Sequence, residues 1–229
     1  MVSNLKVKEF SPHDLHLEIL PIATRKAFLK CTTIAFFARS KWYLAGGTAL
    51  GLQVAHRQSV DLDFFTPEKS LRASFLERQM LKYGDWVTSF GDDGTLYGKF
   101  MAAKVSFIAY PFFKPSKNVL HCGTLRILKP DDIAAMKIMA VSQRGRKRDF
   151  IDLYWYCVNR EPLSDVIKRA LKQYPGKEHN IPHILKSLNY FEDAEADPMP
   201  KVFFDVDWHK VKAYFNKEVS KITKDILEI

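Results

Sequence analysis

The fold class this chain predicts is α+β, an α+β first half followed by an all-helical second half. Three observations carry it. Strand-like alternation is confined to the region before Pro130, glycine turn signals punctuate that same region, and beyond Pro130 apolar residues recur only at helical spacing. The boundary falls near Lys129-Pro130, giving residues 1–129 as an α+β domain and 130–229 as a helical domain. No internal repeat or low-complexity tract is apparent in either.

Residues 12–39 read as helical, because Leu15, Ile19, Ile22, Phe28, Ile34 and Phe37 recur at near-helical spacing, with Pro21 breaking or beginning a helix. Residues 42–45 read as a short strand closed by Gly46-Gly47, and 48–55 as a helix. The run Val-Asp-Leu-Asp-Phe-Phe at 60–65 alternates as a strand does, with Val60, Leu62 and Phe64 expected to face the core. An amphipathic helix follows at 71–83. Strands are expected near 86–90, 95–101 and 104–110, the first two joined by a hairpin turn at Gly91-Asp92-Asp93-Gly94, and another at 125–128. The second half predicts helices at 131–142, 147–159, 164–173, 181–187 and 207–228, with the acidic, proline-bearing stretch 192–200 as a loop.

Composition narrows the function classes. A hydrophobic fraction of 47% over 229 residues suffices for a real core, and no apolar run nears the ~18 residues a membrane span needs. Residues 1–10 mix charged and apolar side chains and lack the apolar stretch of a signal peptide, so a soluble, cytoplasmic protein is expected, with no membrane partner. Cys31, Cys122 and Cys157 are odd in number and lack metal-ligand spacing, which argues against a disulfide framework or zinc site and for buried thiols. The formal net charge of +9 favours polyanionic ligands: RNA, DNA or nucleotide polyphosphates. The charge clusters at Arg144, Arg146, Lys147 and Arg148, and again at Lys210, Lys212, Lys217, Lys221 and Lys224.

The chemistry concentrates in Leu44-Ala45-Gly46-Gly47-Thr48-Ala49-Leu50 and in His56-Arg57-Gln58-Ser59-Val60-Asp61-Leu62-Asp63-Phe64-Phe65. Residues two apart on a strand point to one side, so Asp61 and Asp63 present two carboxylates together. Holding two acids that close costs repulsion unless a cation lies between them, and hard oxygen ligands at this spacing suit Mg²⁺ with triphosphate oxygens. Gly46 and Gly47 let the backbone turn tightly and approach a ligand, while Thr48 is placed to cap a helix whose first amides favour phosphate. Taken singly, Gly-Gly-Thr is usually a turn and cap, and Asp-x-Asp a solvated strand edge. Their order and spacing together make a coherent nucleoside-triphosphate site.

These segments resemble the AbiEii-type nucleotidyltransferases, the toxin component of type IV toxin–antitoxin systems within the DNA polymerase β-like superfamily. The resemblance extends to Leu128-Lys129-Pro130-Asp131-Asp132 with Lys137, and to Lys147-Arg148-Asp149-Phe150-Ile151-Asp152-Leu153. It implies a polymerase β-like core with a mixed sheet and flanking helices, followed by a C-terminal helical domain that completes the active-site cleft. It also implies that Gly46, Gly47 and Thr48 hold triphosphate and that Asp61 and Asp63 hold Mg²⁺, with Mn²⁺ as the alternative ion. Lys137 falls where a phosphate contact is implied, and Asp152 where a base or an orienting acid is. Asp149, three residues before Asp152, would share its helix face. Arg57 is implied to neutralise phosphate, a structural ion pair being nearly its equal, and Ser59 to touch phosphate or support the metal. A solvated helix lysine is the plain alternative for Lys137, pairing with Arg146 or Lys147 for Asp149, and a helix-end position for His56. Related enzymes often take a third carboxylate from a later strand. Here Ser106 stands in that place, so a second metal is expected to be loosely held.

The expected reaction moves a nucleoside monophosphate from a triphosphate to an acceptor. RNA is the favoured acceptor, a tRNA 3′ end above all, with the basic clusters positioning its backbone. A protein or small-molecule acceptor is the second reading, and a degenerate nucleotide-binding module without turnover the third. The resemblance further implies a cognate antitoxin protein as partner.

Overall fold

A computed structural model of the chain describes residues 9–116, 119–176 and 180–227. Its first unit runs to Ala55 and resumes from Ser59 to Lys129; its second takes His56–Gln58 and everything from Pro130 onward.

In chain order, the first unit holds β1 (Glu9–Phe10), α1 (Ile22–Cys31), α2 (Ala35–Ala38), β2 (Tyr43–Ala45) and α3 (Gly46–Val54). It continues with β3 (Asp61–Thr66), α4 (Ala73–Leu81), β4 (Trp86–Gly91), β5 (Thr95–Phe100), β6 (Ala103–Ala109), β7 (Leu120–Cys122) and β8 (Leu125–Ile127). The eight strands form one sheet in the order β1-β7-β8-β2-β3-β6-β5-β4. The sheet is mixed. β3 lies antiparallel to β2 and parallel to β6, β2 lies parallel to β8, and β4-β5-β6 is an antiparallel meander.

The region 12–39 is not one helix. Short 3-10 turns occupy Pro12–Asp14 and Leu17–Ile19, and Pro21, which cannot donate a backbone hydrogen bond, caps the start of α1. The pattern on β3 is regular: Leu62, Phe64 and Thr66 are buried, whereas Asp61, Asp63 and Phe65 are half-buried. Val60 departs from expectation. It precedes the strand and is 45% exposed, its carbonyl accepting the Thr24 hydroxyl at 2.8 Å. The core behind β3 is aromatic: Phe37 stacks on Phe64 at 4.8 Å between centroids, and Phe64 on Phe107 at 5.3 Å. Two strands were invisible to periodicity. β1 and β7 are two and three residues long and pair with each other in parallel, too short for an alternation to register.

The second unit holds α5 (Pro130–Arg144), α6 (Lys147–Asn159), α7 (Leu163–Gln173), α8 (Ile181–Leu188), α9 (Glu192–Glu195) and α10 (Trp208–Leu227). The stretch 192–200 is thus not all loop, since α9 opens it, and the expected end of the last helix at Glu228 lies outside the described residues. Phe150 gathers Phe191, Trp208 and Phe215 around it at 5.2–5.8 Å between centroids. The two units divide between Lys129 and Pro130, with residues 56–58 grouped with the second. Gln58 donates its amide to the Lys201 carbonyl and Phe203 to that of His56, which stitches residues 56–58 to the second unit.

All three cysteines are free and buried, and burial pushes the Cys122 and Cys157 thiols up to about 11 and about 12, leaving them protonated. Among the described residues no helix is long and apolar enough to cross a membrane.

Candidate functional site

In the first unit, the glycine turn and the acid-bearing strand are brought together by register. Ala45, the last residue of β2, pairs with Asp63 on β3, and the chain then enters α3 at once. Gly46 makes that entry at φ +71°, a left-handed conformation that side chains disfavour. Space favours glycine as well, because a Cβ there would lie 3.1 Å from Asp63 Oδ2, which would have to give by a few tenths of an ångström. The pleat that carries Asp61 and Asp63 therefore opens on the glycine turn.

Thr48 plays a different part from the expected cap. α3 starts at Gly46 with Ala45 as its N-cap residue, so Thr48 is already inside the first turn. Its buried hydroxyl donates to the Asp61 carbonyl and lies 2.7 Å from Ser59 Oγ. Thr48 and Ser59 thus pin the start of β3 to α3. The first-turn backbone amides of α3 have no partner within the helix, and amides at a helix N-terminus favour phosphate.

Ser106 sits directly opposite Asp63 in the parallel β3–β6 ladder, and its hydroxyl donates to Asp63 Oδ1 at 2.6 Å. The position that a third acid would occupy thus carries a hydrogen bond that orients the second. Among the described residues no group of three or more histidines, cysteines or acids could hold a metal. The donor set is two hard carboxylates on one pleat, beside a turn with no side chain in the way. That set fits Mg²⁺, which keeps several waters and takes one or two carboxylates plus substrate phosphates.

A second cluster lies within the helical unit. Asp152 is wholly buried, and its carboxylate receives His56 Nε2 at 2.7 Å, Arg57 Nε at 2.5 Å and Nη2 at 2.8 Å, and Lys137 Nζ at 2.6 Å. Asp149, one turn earlier on α6, receives Lys137 Nζ at 2.5 Å and Arg144 Nε at 3.1 Å. Lys137 is only 6% exposed, so it is no solvated lysine. The pairing of Asp149 with Arg146 or Lys147 is likewise replaced by Lys137 and Arg144.

Burial alone would raise both carboxyls, but the cations outweigh it. Arg57, Lys137 and the His56 hydrogen bond hold Asp152 well below the usual carboxylate range, and Lys137 and Arg144 hold Asp149 below it. An acid so stabilised as its anion is a poor proton acceptor. Arg57 is committed to the same carboxylate by a two-nitrogen clamp. His56 is more than a helix-end residue: burial pushes its pKa down against the pull of Asp152, and its Nδ1 is buried with no hydrogen-bond partner among the described residues. Sequence reasoning missed His56 and Arg144 as members of this cluster. The only signal was the adjacency of His56 to Arg57.

The basic clusters are partly spent on internal pairs. Arg146 meets Asp197 at 2.9 Å, and Lys147 Nζ donates to the carbonyls of Glu195 and Asp197 at 3.2 and 2.5 Å. On α10, Lys210 meets Asp205 and Lys212 meets Glu195, whereas Lys217, Lys221 and Lys224 are exposed.

Comparison with known proteins adds family context. The family model described as nucleotidyl transferase AbiEii toxin, type IV TA system, matches residues 27–94 and 114–225. A protein of Aquifex aeolicus (strain VF5), itself uncharacterised, is 36% identical over 188 residues, covering 79% of this chain and 87% of its own. A candidate nucleotidyltransferase from H. pylori superposes with a TM-score of 0.51 at 15% identity, covering 89% of this chain and 97% of that one. The nucleotidyltransferase toxin MenT4 from Mycobacterium tuberculosis H37Rv gives the same TM-score and identity, over 89% of this chain and 86% of its own. Both share the fold.

Proposed function

The chain belongs to the nucleotidyl transferase AbiEii toxin family of type IV toxin–antitoxin systems, and from that premise we propose that it is a Mg²⁺-dependent enzyme that transfers a nucleoside monophosphate from a triphosphate to RNA, with a tRNA 3′ end as acceptor. The observation that carries this reading is the placing of Asp61 and Asp63 on one half-exposed pleat, with Asp63 Oδ2 against the Gly46 turn.

Asp61 and Asp63 would hold the ion, which when bound offsets charge on the polyphosphate during in-line displacement at the α-phosphorus. Ser106 fixes the Asp63 carboxyl plane through Oδ1, and Thr48 with Ser59 fixes the backbone of Asp61. The first-turn amides of α3 would receive phosphate oxygens at a turn kept clear by Gly46. In this reading Lys137 contacts phosphate by its match to the family's motif. Asp149, Asp152 and Arg57 hold that lysine and its surroundings in place. The family implies an antitoxin as partner.

The test is to incubate the protein with Mg²⁺, each labelled triphosphate and total RNA, beside the Asp63→Asn variant. Asparagine keeps an acceptor for Ser106 but loses the charge, so label in tRNA should fall on the order of a thousandfold with the fold retained. Undiminished transfer by Asp63→Asn would remove the metal assignment, and label in protein instead of RNA would remove the acceptor.

A further inference from the structure

The sheet face that carries the two acids does not end at them. Across the register, Asp63 pairs with Ser106 on β6, Ser106 with Tyr97 on β5, and Tyr97 with Phe90 on β4. One step along the strands, Asp61 pairs with Lys104, Lys104 with Lys99, and Lys99 with Val87. Direct cross-strand partners share a face, so these two rows form one continuous surface. Its outer part is open: Phe90 is 52% and Tyr97 44% exposed, their rings 6.1 Å apart, and Lys99 and Lys104 are exposed.

Three features of this surface are costly unless something covers it. Two adjacent aromatic rings face solvent. Two lysines stand directly opposite each other, which destabilises a ladder by like-charge repulsion. β4 is also an edge strand, exposed along all but its first residue. A single-stranded polynucleotide answers the first two at once, since any base can stack on an aromatic ring and its phosphates neutralise paired lysines. The charge is also directional. Asp92 and Asp93 sit at the β4–β5 turn and repel a polyanion there, which turns the phosphates toward Lys99 and Lys104. Strands lie about 4.8 Å apart, so Tyr97 stands roughly 10 Å from the Asp63 strand, about three stacked nucleotides at ~3.4 Å each.

We propose that Phe90, Tyr97, Lys99 and Lys104 form a stacking platform for the unpaired 3′-terminal nucleotides of the acceptor, delivering the last hydroxyl to the pleat of Asp61 and Asp63. The platform rests on the nucleotidyltransfer reading above and names the form of its acceptor: single-stranded, recognised without base specificity. It acts by stacking and backbone charge, so it tolerates sequence but not a duplex end.

The test measures fluorescence anisotropy of a labelled single-stranded 12-mer oligoadenylate and of a blunt RNA duplex of equal length, with full-length protein. The single strand should bind at least tenfold tighter than the duplex. Phe90→Ala/Tyr97→Ala should lose tenfold or more in affinity for the single strand, and Phe90→Tyr/Tyr97→Phe, which keeps both rings, should bind as wild type. Lys99→Glu/Lys104→Glu should weaken binding and flatten its salt dependence. Binding of labelled triphosphate with Mg²⁺, measured separately, should survive the ring substitutions. Asp63→Asn should leave oligoadenylate binding intact while abolishing transfer, so failure of the platform and failure of the transfer reading give different results. Equal affinity for duplex, or single-strand binding indifferent to the ring and lysine substitutions, overturns the platform. So does a wild-type dimer that Phe90→Ala/Tyr97→Ala converts to monomer, which would make the rings a contact between copies of this chain.

Discussion

Lys137 touches both buried acids of α6, and its ammonium sits where two carboxylates would otherwise repel each other. Removing one partner of a buried ionic group costs more than the group is worth intact, because the remaining charges lose their compensation. Lys137→Met should therefore destabilise the protein by about 3–5 kcal/mol, read from denaturant midpoints. Adding Asp149→Asn should restore part of that loss by relieving the repulsion. An unchanged midpoint for Lys137→Met would mean the ion pairs contribute little. At this scale the sequence was half legible. Asp149 and Asp152 share a helix face by spacing alone, but that Lys137 bridges them depends on α5 and α6 packing side by side, which no local pattern records.

At the scale of elements, the step from β2 into α3 is constrained both by backbone conformation and by space. Gly46 combines φ +71° with a neighbour 3.1 Å from its missing Cβ. Gly46→Ala should cost about 1–2 kcal/mol from backbone strain alone. It should also displace the Asp63 carboxylate, so transfer should fall well beyond what the lost stability explains; thermal melting and a transfer assay on the same sample separate the two effects. Alanine tolerated in both assays would place the ligand away from this turn. The glycine pair and the Asp-x-Asp alternation were visible as local signals, because turn chemistry and a two-residue period are properties of consecutive residues. Thr48 misled for the same reason. A threonine after two glycines looks like a cap, yet the helix starts earlier and the hydroxyl goes to Asp61 and Ser59, partners more than ten residues away.

For the whole molecule, the buried His56–Asp152 pair links stability to pH. Folding lowers the His56 pKa, so the unfolded chain binds a proton there more readily than the folded one. Stability is then complete above the ordinary histidine value of about 6.5 and declines as pH falls below it. Asp152 and Asp149, both held below the carboxylate norm, add a second loss below about 4. Melting temperatures from pH 8 to pH 5 should show the first decline, and His56→Gln, which can still donate to Asp152, should flatten it. A parallel pH dependence in that variant would assign the decline to other histidines.

By itself the sequence determined which segments are strands and helices where the periods run long enough, the pleat shared by Asp61 and Asp63, and the family. These rest on neighbours along the chain, where geometry follows from spacing. Only the tertiary structure decided that residues 56–58 belong with the helical unit, that Asp152 is an ion-paired anchor, and that Phe90 and Tyr97 continue the face of the acids. Those outcomes turn on strand register and helix packing, which pair residues from seven to about a hundred positions apart and leave no periodic trace in the chain.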